Sequence, residues 1–369
     1  MKKVLILANS SSGLYDFRND LVSTLLTEYE VVASLPDDMK TRPLSDEGVR
    51  IIHTDINRRG VNPKEDYKLY REYKNLIKTE KPDVILSYTI KPNIYGGYAA
   101  RKLRVPYIST ITGLGSAFQK EGIFKKMIVT MYKAAFKKAA CVFFQNSENM
   151  LVFEECGITR KGIKTKLVNG SGVDFSMHRV IEYPDEKDGI QLLYMGRNMK
   201  EKGTDELLET AKYFTQNKDK YENKVEIKLL GYSDENYDEI IKDYESKGYL
   251  VTHPFDTDVN KHLRDCSAVI LPTYHEGMSN VLQEAAASGR AVIASNIPGC
   301  REVFEDGVTG FGCEPKSTDS LIKAVEKYIS LTKEERAKMG LKGRAKVEKE
   351  FDRKMITKAY YEEIHEALR

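Results

Sequence analysis

"AVILPTYHEGMSNVLQEAAASGRAVIAS", residues 268–295, determines the architecture of the chain. It opens on an apolar run, "AVIL", that stops at Pro272, and it closes on a second one, "AVIAS". Between the two lies a loop, then an alanine-rich segment of helical character expected to start near Met278–Ser279. Strand, helix and strand in that order, with strands apolar on both faces, make one unit of a covered parallel sheet. Two carboxylates interrupt this pattern, with seven residues between them: Glu276 in the loop and Glu284 in the helix body. A carboxylate on a helix that otherwise looks buried needs hydrogen-bond partners.

The alternation extends in both directions. Upstream, "IQLLYMG" (190–196), "VEIKLLG" (225–231) and "YLVTHPF" (249–255) read as strands separated by helical segments. The first half repeats the pattern, with "KVLILA" (3–8), "EVVASL" (30–35), "DVILSYT" (83–89), "PYISTIT" (106–112) and "CVFFQN" (141–146) as strands. The fold class is therefore α/β, two doubly wound Rossmann-like domains, expected to face each other across a cleft. The polar, aperiodic stretch 178–189, "HRVIEYPDEKDG", is the expected boundary. It separates an N-terminal domain, 1–177, from a second at 190–350, and 351–369 form a terminal helix.

Composition narrows the function. Charged residues make up 31% of the 369, but they nearly cancel at a formal +3, which argues against a dedicated nucleic-acid binder. The charge is unevenly placed: residues 1–175 carry 28 Lys/Arg against 19 Asp/Glu, and the remainder 30 against 36. A basic first half implies contact with something anionic. The five cysteines and six histidines are scattered without metal-ligand spacing, so reduced thiols and no metal are expected. The apolar run near the N-terminus is too short for a secretory signal, and no stretch approaches the roughly 20 apolar residues of a membrane span.

Open parallel sheets bind ligands beyond the carboxyl ends of their strands, and the candidate residues fall there. In "YMGRNMKEKG" (194–203) Arg197 and Lys202 follow a strand and precede a helix. Two cations beside a helix N-terminus can hold a diphosphate without a metal. At the next candidate, the amides of Gly277, Met278, Ser279 and Asn280 stand where a helix leaves donors unpaired. Glu276 and Glu284 can each accept two hydroxyl hydrogens, as in the grip on a ribose diol.

These segments, with "PGCREVFEDGVTGF" (298–311), resemble the retaining glycosyltransferases of family 4, which have the two-domain GT-B fold. "LYDFRNDLV" (14–22) and "ITGLGSAF" (111–118) look like the branch that extends lipid-linked glycans in bacteria, including N-acetylgalactosaminyl and capsule or O-antigen sugar transferases. The resemblance implies that Glu276 contacts the donor sugar, Glu284 the ribose, and Arg197 and Lys202 the departing diphosphate of a UDP-sugar. It also implies no metal, no other cofactor and no assigned general base. "NSSSG" (9–13) stands where the family has a glycine-rich loop, with Gly13 retained, while Thr112 before Gly113 replaces a histidine that many relatives carry. The terminal helix is expected to cross back to the first domain.

The implied acceptor is a lipid-pyrophosphate-linked saccharide at the inner face of the cytoplasmic membrane. The expected location is accordingly cytoplasmic and peripheral to that membrane. Candidate contacts are Arg18, Arg58, Arg59 and Lys91, with Lys125, Lys126 and Lys133 on a basic, apolar helix near 124–139 suited to an anionic membrane surface. Two other readings share the fold: a UDP-N-acetylglucosamine 2-epimerase-like enzyme and a non-catalytic sugar-nucleotide-binding protein. A nicotinamide oxidoreductase is disfavoured, because no Gly-x-Gly-x-x-Gly follows the first strand.

Overall fold

The computed structural model describes residues 1–57, 62–115, 118, 122–159 and 162–369. Arg58 and Arg59, named above as acceptor contacts, lie outside the described residues, as do Ser116 and Ala117 of "ITGLGSAF". The chain forms two compact units. The first comprises Met1–Gly172 and Arg353–Arg369, and the second Val173–Asp352.

The first unit contains a seven-stranded sheet built from β1 (Lys3–Leu7), β2 (Glu30–Leu35), β3 (Arg50–His53), β4 (Val84–Tyr88), β5 (Tyr107–Ile111), β6 (Cys141–Phe144) and β7 (Thr165–Leu167). All pairings are parallel, in the order β3-β2-β1-β4-β5-β6-β7. Side chains alternate between the sheet's two faces, as strand geometry requires. Val4, Ile6, Val84, Leu86 and Phe143 pack under the helices Ser11–Leu26 and Arg353–Ala367, while Leu5, Leu7, Ile85, Val142 and Phe144 pack under the helices on the opposite side. The terminal helix is seated on this sheet: Tyr360 stacks on Phe143 at 4.1 Å and shares a buried 2.8 Å hydrogen bond with Thr110. Its Glu363 accepts ion pairs from Lys164, just before β7, and from Lys166, on that strand, at 2.8 and 2.6 Å.

The second unit contains β8 (Ile190–Asn198), β9 (Val225–Ser233), β10 (Val251–His253), β11 (Ala268–Leu271), β12 (Ala291–Ser295) and β13 (Gly310–Cys313). They form a parallel sheet in the order β10-β9-β8-β11-β12-β13. The polar stretch 178–189 belongs to this unit. Buried Arg290 donates to the carbonyls of Ile181 and Glu182, and Arg336 pairs with Glu186 at 2.5 Å. Arginine contacts to backbone and carboxylate thus replace the apolar periodicity that the segment lacks.

In each sheet the strand order reverses once, between β1 and β4 in the first and between β8 and β11 in the second. Loops leaving neighbouring strands at such a switch point diverge and open a crevice. The opening is marked in the second sheet. There β8 pairs with β9 along nine positions but with β11 only at Leu192 and Leu193. No described helix is long and apolar enough to cross a membrane.

Candidate functional site at the switch point of the second sheet

The exit of β8 is built by backbone constraints. Gly203 has φ +73°, and a Cβ there would meet the Pro272 carbonyl oxygen at 2.1 Å, so only glycine fits. Its helix, Thr204–Gln216, begins with Thr204, whose hydroxyl binds both the amide and the carbonyl of Met199 at 2.9 Å. The turn Lys200–Lys202 is thereby locked between strand and helix. It is also stitched to the exit of β11: Tyr274 N–H donates to the Glu201 carbonyl at 2.9 Å, and the Thr273 hydroxyl donates to it at 3.3 Å.

The charged side chains meet across this seam. Lys202 Nζ lies 2.5 Å from Glu276 Oε1, with both side chains mostly buried, at 22% and 14% exposure. Arg197, at the end of β8, pairs with Asp234 just past β9. Glu276 is backed by a third loop. Gly299, at φ +83°, would place a Cβ within 2.9 Å of the Glu276 backbone and Cβ, and its carbonyl accepts from Ser279 N–H at 2.7 Å. One of the four amides expected to be open is therefore engaged. The helix Asn280–Ala287 is capped by Ser279, whose hydroxyl accepts from Leu282 N–H at 3.4 Å. Glu284 is only partly buried on it, between buried Gln283 and Ala285.

Burial, and then the Glu276 charge, push the Cys300 thiol well above its usual range. Tyr274, whose hydroxyl donates to both oxygens of buried Glu206 at 2.8 and 2.9 Å, holds the β11 exit to the helix after β8. Two further residues stand at the strand ends. Tyr232, the register partner of Arg197, is 51% exposed and meets Phe255 (55% exposed) edge-on at 5.8 Å. Asp234, Gly299, Tyr232 and Phe255 were not singled out from sequence. Only Gly299 lay in a segment with a recognisable motif.

The first unit holds its candidates differently. Its first helix starts at Ser11, capped by Ser10, whose hydroxyl accepts from Gly13 N–H at 3.3 Å. Ser11 N–H donates to the Asp38 carboxylate at 3.1 and 3.2 Å. Arg18 donates to the Gly13 carbonyl at 2.7 Å and covers the Tyr88 ring at 4.5 Å. Lys91 pairs with Asp66 at 2.8 Å. Gly113 has φ +149° just beyond β5. The basic helix runs from Ile123 to Phe136 and buries Ile128, Tyr132, Ala135 and Phe136. Lys126 is exposed on it, while Lys125 and Lys133 are half-buried.

With this geometry the chain matches two family models: "Glycosyl transferases group 1" over residues 181–346 and "Glycosyl transferase 4-like" over residues 3–146. It is 25% identical, over 97% of both chains, to the N,N'-diacetylbacillosaminyl-diphospho-undecaprenol alpha-1,3-N-acetylgalactosaminyltransferase of Campylobacter jejuni. It is also 25% identical to the UDP-Gal:alpha-D-GlcNAc-diphosphoundecaprenol alpha-1,3-galactosyltransferase of Escherichia coli, over 81% of this chain and 82% of that one. Among solved structures, Anabaena HepE in complex with UDP-glucose superposes with a TM-score of 0.80 at 17% identity, covering 99% of this chain and 100% of that one.

Proposed function

We propose a reaction for this chain, which belongs to the group 1 glycosyl transferases and has their two-domain GT-B fold. It transfers a hexose or N-acetylhexosamine from a UDP-sugar to a lipid-pyrophosphate-linked saccharide in the assembly of a bacterial surface glycan. The observation that carries this reading is the Lys202–Glu276 pair at the switch point, with Arg197 on the same strand exit. A nucleotide sugar has an anionic centre between two hydroxyl-rich ends, and this site offers cations and carboxylates in matching number.

In the proposed cycle the donor separates the pair. Lys202 turns to the diphosphate together with Arg197, and Glu276 turns to the sugar hydroxyls. Glu284 takes the ribose, and the exposed Tyr232–Phe255 pair offers aromatic surface for the base. As the sugar–phosphate bond breaks, the two cations stabilise charge building on the leaving UDP. They supply this without a metal. The acceptor hydroxyl attacks from the side the phosphate leaves, and its proton passes to the departing phosphate, so anomeric configuration is retained and no protein base is required.

The relatives' lipid-diphosphate acceptors support the acceptor class. A membrane contact is supported by the helix Ile123–Phe136, which leaves Ile123, Phe124 and Met127 exposed beside Lys126. The test is UDP release from a panel of UDP-sugars with and without a lipid-pyrophosphate saccharide. Release that requires both substrates is expected. Conversion of the donor without acceptor would indicate an epimerase, and no turnover with any pair would indicate a binding protein.

A further inference from the structure

The two cations at the exit of β8 are paired in different ways. Lys202 pairs with Glu276, which the proposed cycle places on the donor sugar. Arg197 pairs with Asp234, to which the cycle gives no role. Arg197 Nη1 donates to Asp234 Oδ2 at 2.5 Å. The carboxylate is the more enclosed partner, with 22% of its side chain exposed against 40% for the arginine.

Both ends of this pair are anchored by backbone contacts. The loop after β9 is pressed against the exit of β8, where a Cβ on Gly231 would meet the Gly196 carbonyl oxygen at 1.8 Å. Asp234 N–H donates to the Asn198 carbonyl at 3.2 Å, and its neighbour Glu235 accepts from Lys200 N–H at 3.0 Å. On the arginine side, the hydroxyl of buried Tyr194 donates to the Arg197 carbonyl at 2.7 Å. Only the long arginine side chain is left to be directed, and the Asp234 carboxylate directs it.

A guanidinium carries five N–H donors in a planar fork and no acceptor. Nη1 is on Asp234, while Nε and Nη2 make no hydrogen bond among the described residues. These two can still make a two-pronged contact with phosphate oxygens. A side chain that is already ordered loses little further rotamer entropy in that contact. A second effect opposes this one, because a carboxylate beside the guanidinium repels a bound diphosphate. The two effects differ in sign, so removing Asp234 separates them.

We infer that Asp234 is a positioning residue of the donor site, which aims the Arg197 guanidinium at the diphosphate of the nucleotide. This rests on the reading of Arg197 as a diphosphate ligand.

Isothermal titration of UDP, and of UMP as the probe lacking the second phosphate, tests it. Asp234→Ala is expected to weaken UDP binding about fivefold or more and UMP binding less than about twofold. Asp234→Asn keeps an acceptor oxygen for Nη1 and is expected to bind UDP within about twofold of the wild type, or more tightly. In an Arg197→Ala background, Asp234→Ala is expected to change UDP affinity less than about twofold, because its effect runs through the guanidinium. UDP binding that is unchanged or tighter in Asp234→Ala would overturn the proposal. Weakening of UDP and UMP alike, or the same weakening with Arg197 absent, would also overturn it, since either marks a purely structural role. A UDP affinity unaltered by Arg197→Ala alone would overturn the reading of Arg197 as well.

Discussion

Lys202 Nζ and Glu276 Oε1, 74 residues apart in sequence, meet at 2.5 Å and join the exits of the two strands between which the second sheet reverses its order. The two charges pair with each other, and the proposed cycle assigns each to a different end of the donor. Lys202→Ala is expected to lower kcat about 10²-fold or more, because stabilisation of the leaving diphosphate is lost mainly in the transition state. Steady-state rates at saturating donor check this. A kcat within a few-fold of wild type would remove Lys202 from the chemistry.

Glu284 is expected to act on binding instead. Loss of a carboxylate that grips two hydroxyls costs about 1.5–3 kcal/mol, or roughly 10- to 100-fold in Kd. Isothermal titration of UDP into Glu284→Ala should show that weakening, with kcat at saturating donor nearly unchanged.

Chelation separates the cationic mechanism from a metal-assisted one. Transfer measured after treatment with EDTA is expected to run at the untreated rate, since the proposed cycle assigns the charge compensation to Arg197 and Lys202. Activity lost to EDTA and restored by magnesium or manganese would contradict that assignment.

The terminal helix gives a pH signature. Burial alone would raise the Glu363 carboxyl, but Lys164 and Lys166 hold it below its ordinary value of 4.5. A carboxyl lowered by folding adds stability that is full above its unfolded value and is lost as pH falls through its folded value. Melting temperature should therefore drop below about pH 4.5 more steeply in the wild type than in Glu363→Gln, which carries no titrating carboxyl at this position. Parallel curves would show that the tether adds no pH-dependent stability.

Much of this was legible because it is local. The apolar runs of β8 and β11 and the alanine-rich helix at 280–287 are encoded in consecutive residues, so both charged segments were found at strand exits. What joins them was not legible. The Lys202–Glu276 and Arg197–Asp234 pairs and the Gly299 support depend on strand order, which no short window contains. Three consecutive serines leave several possible starts for the first helix, and the structure caps it at Ser10. On the basic helix, Phe124 and Met127 are exposed while Ile128 and Phe136 are buried, a division that apolar composition alone does not reveal. The helix's first turn is apolar without being covered by its own unit.

The central claim is that the second unit holds the donor by both kinds of group at once. A crystal of the protein soaked with UDP tests it most directly. The account expects the diphosphate within hydrogen-bond distance of Arg197 and Lys202, the Lys202–Glu276 contact broken, and the ribose against Glu284. UDP bound elsewhere, or bound with that ion pair intact, would contradict it.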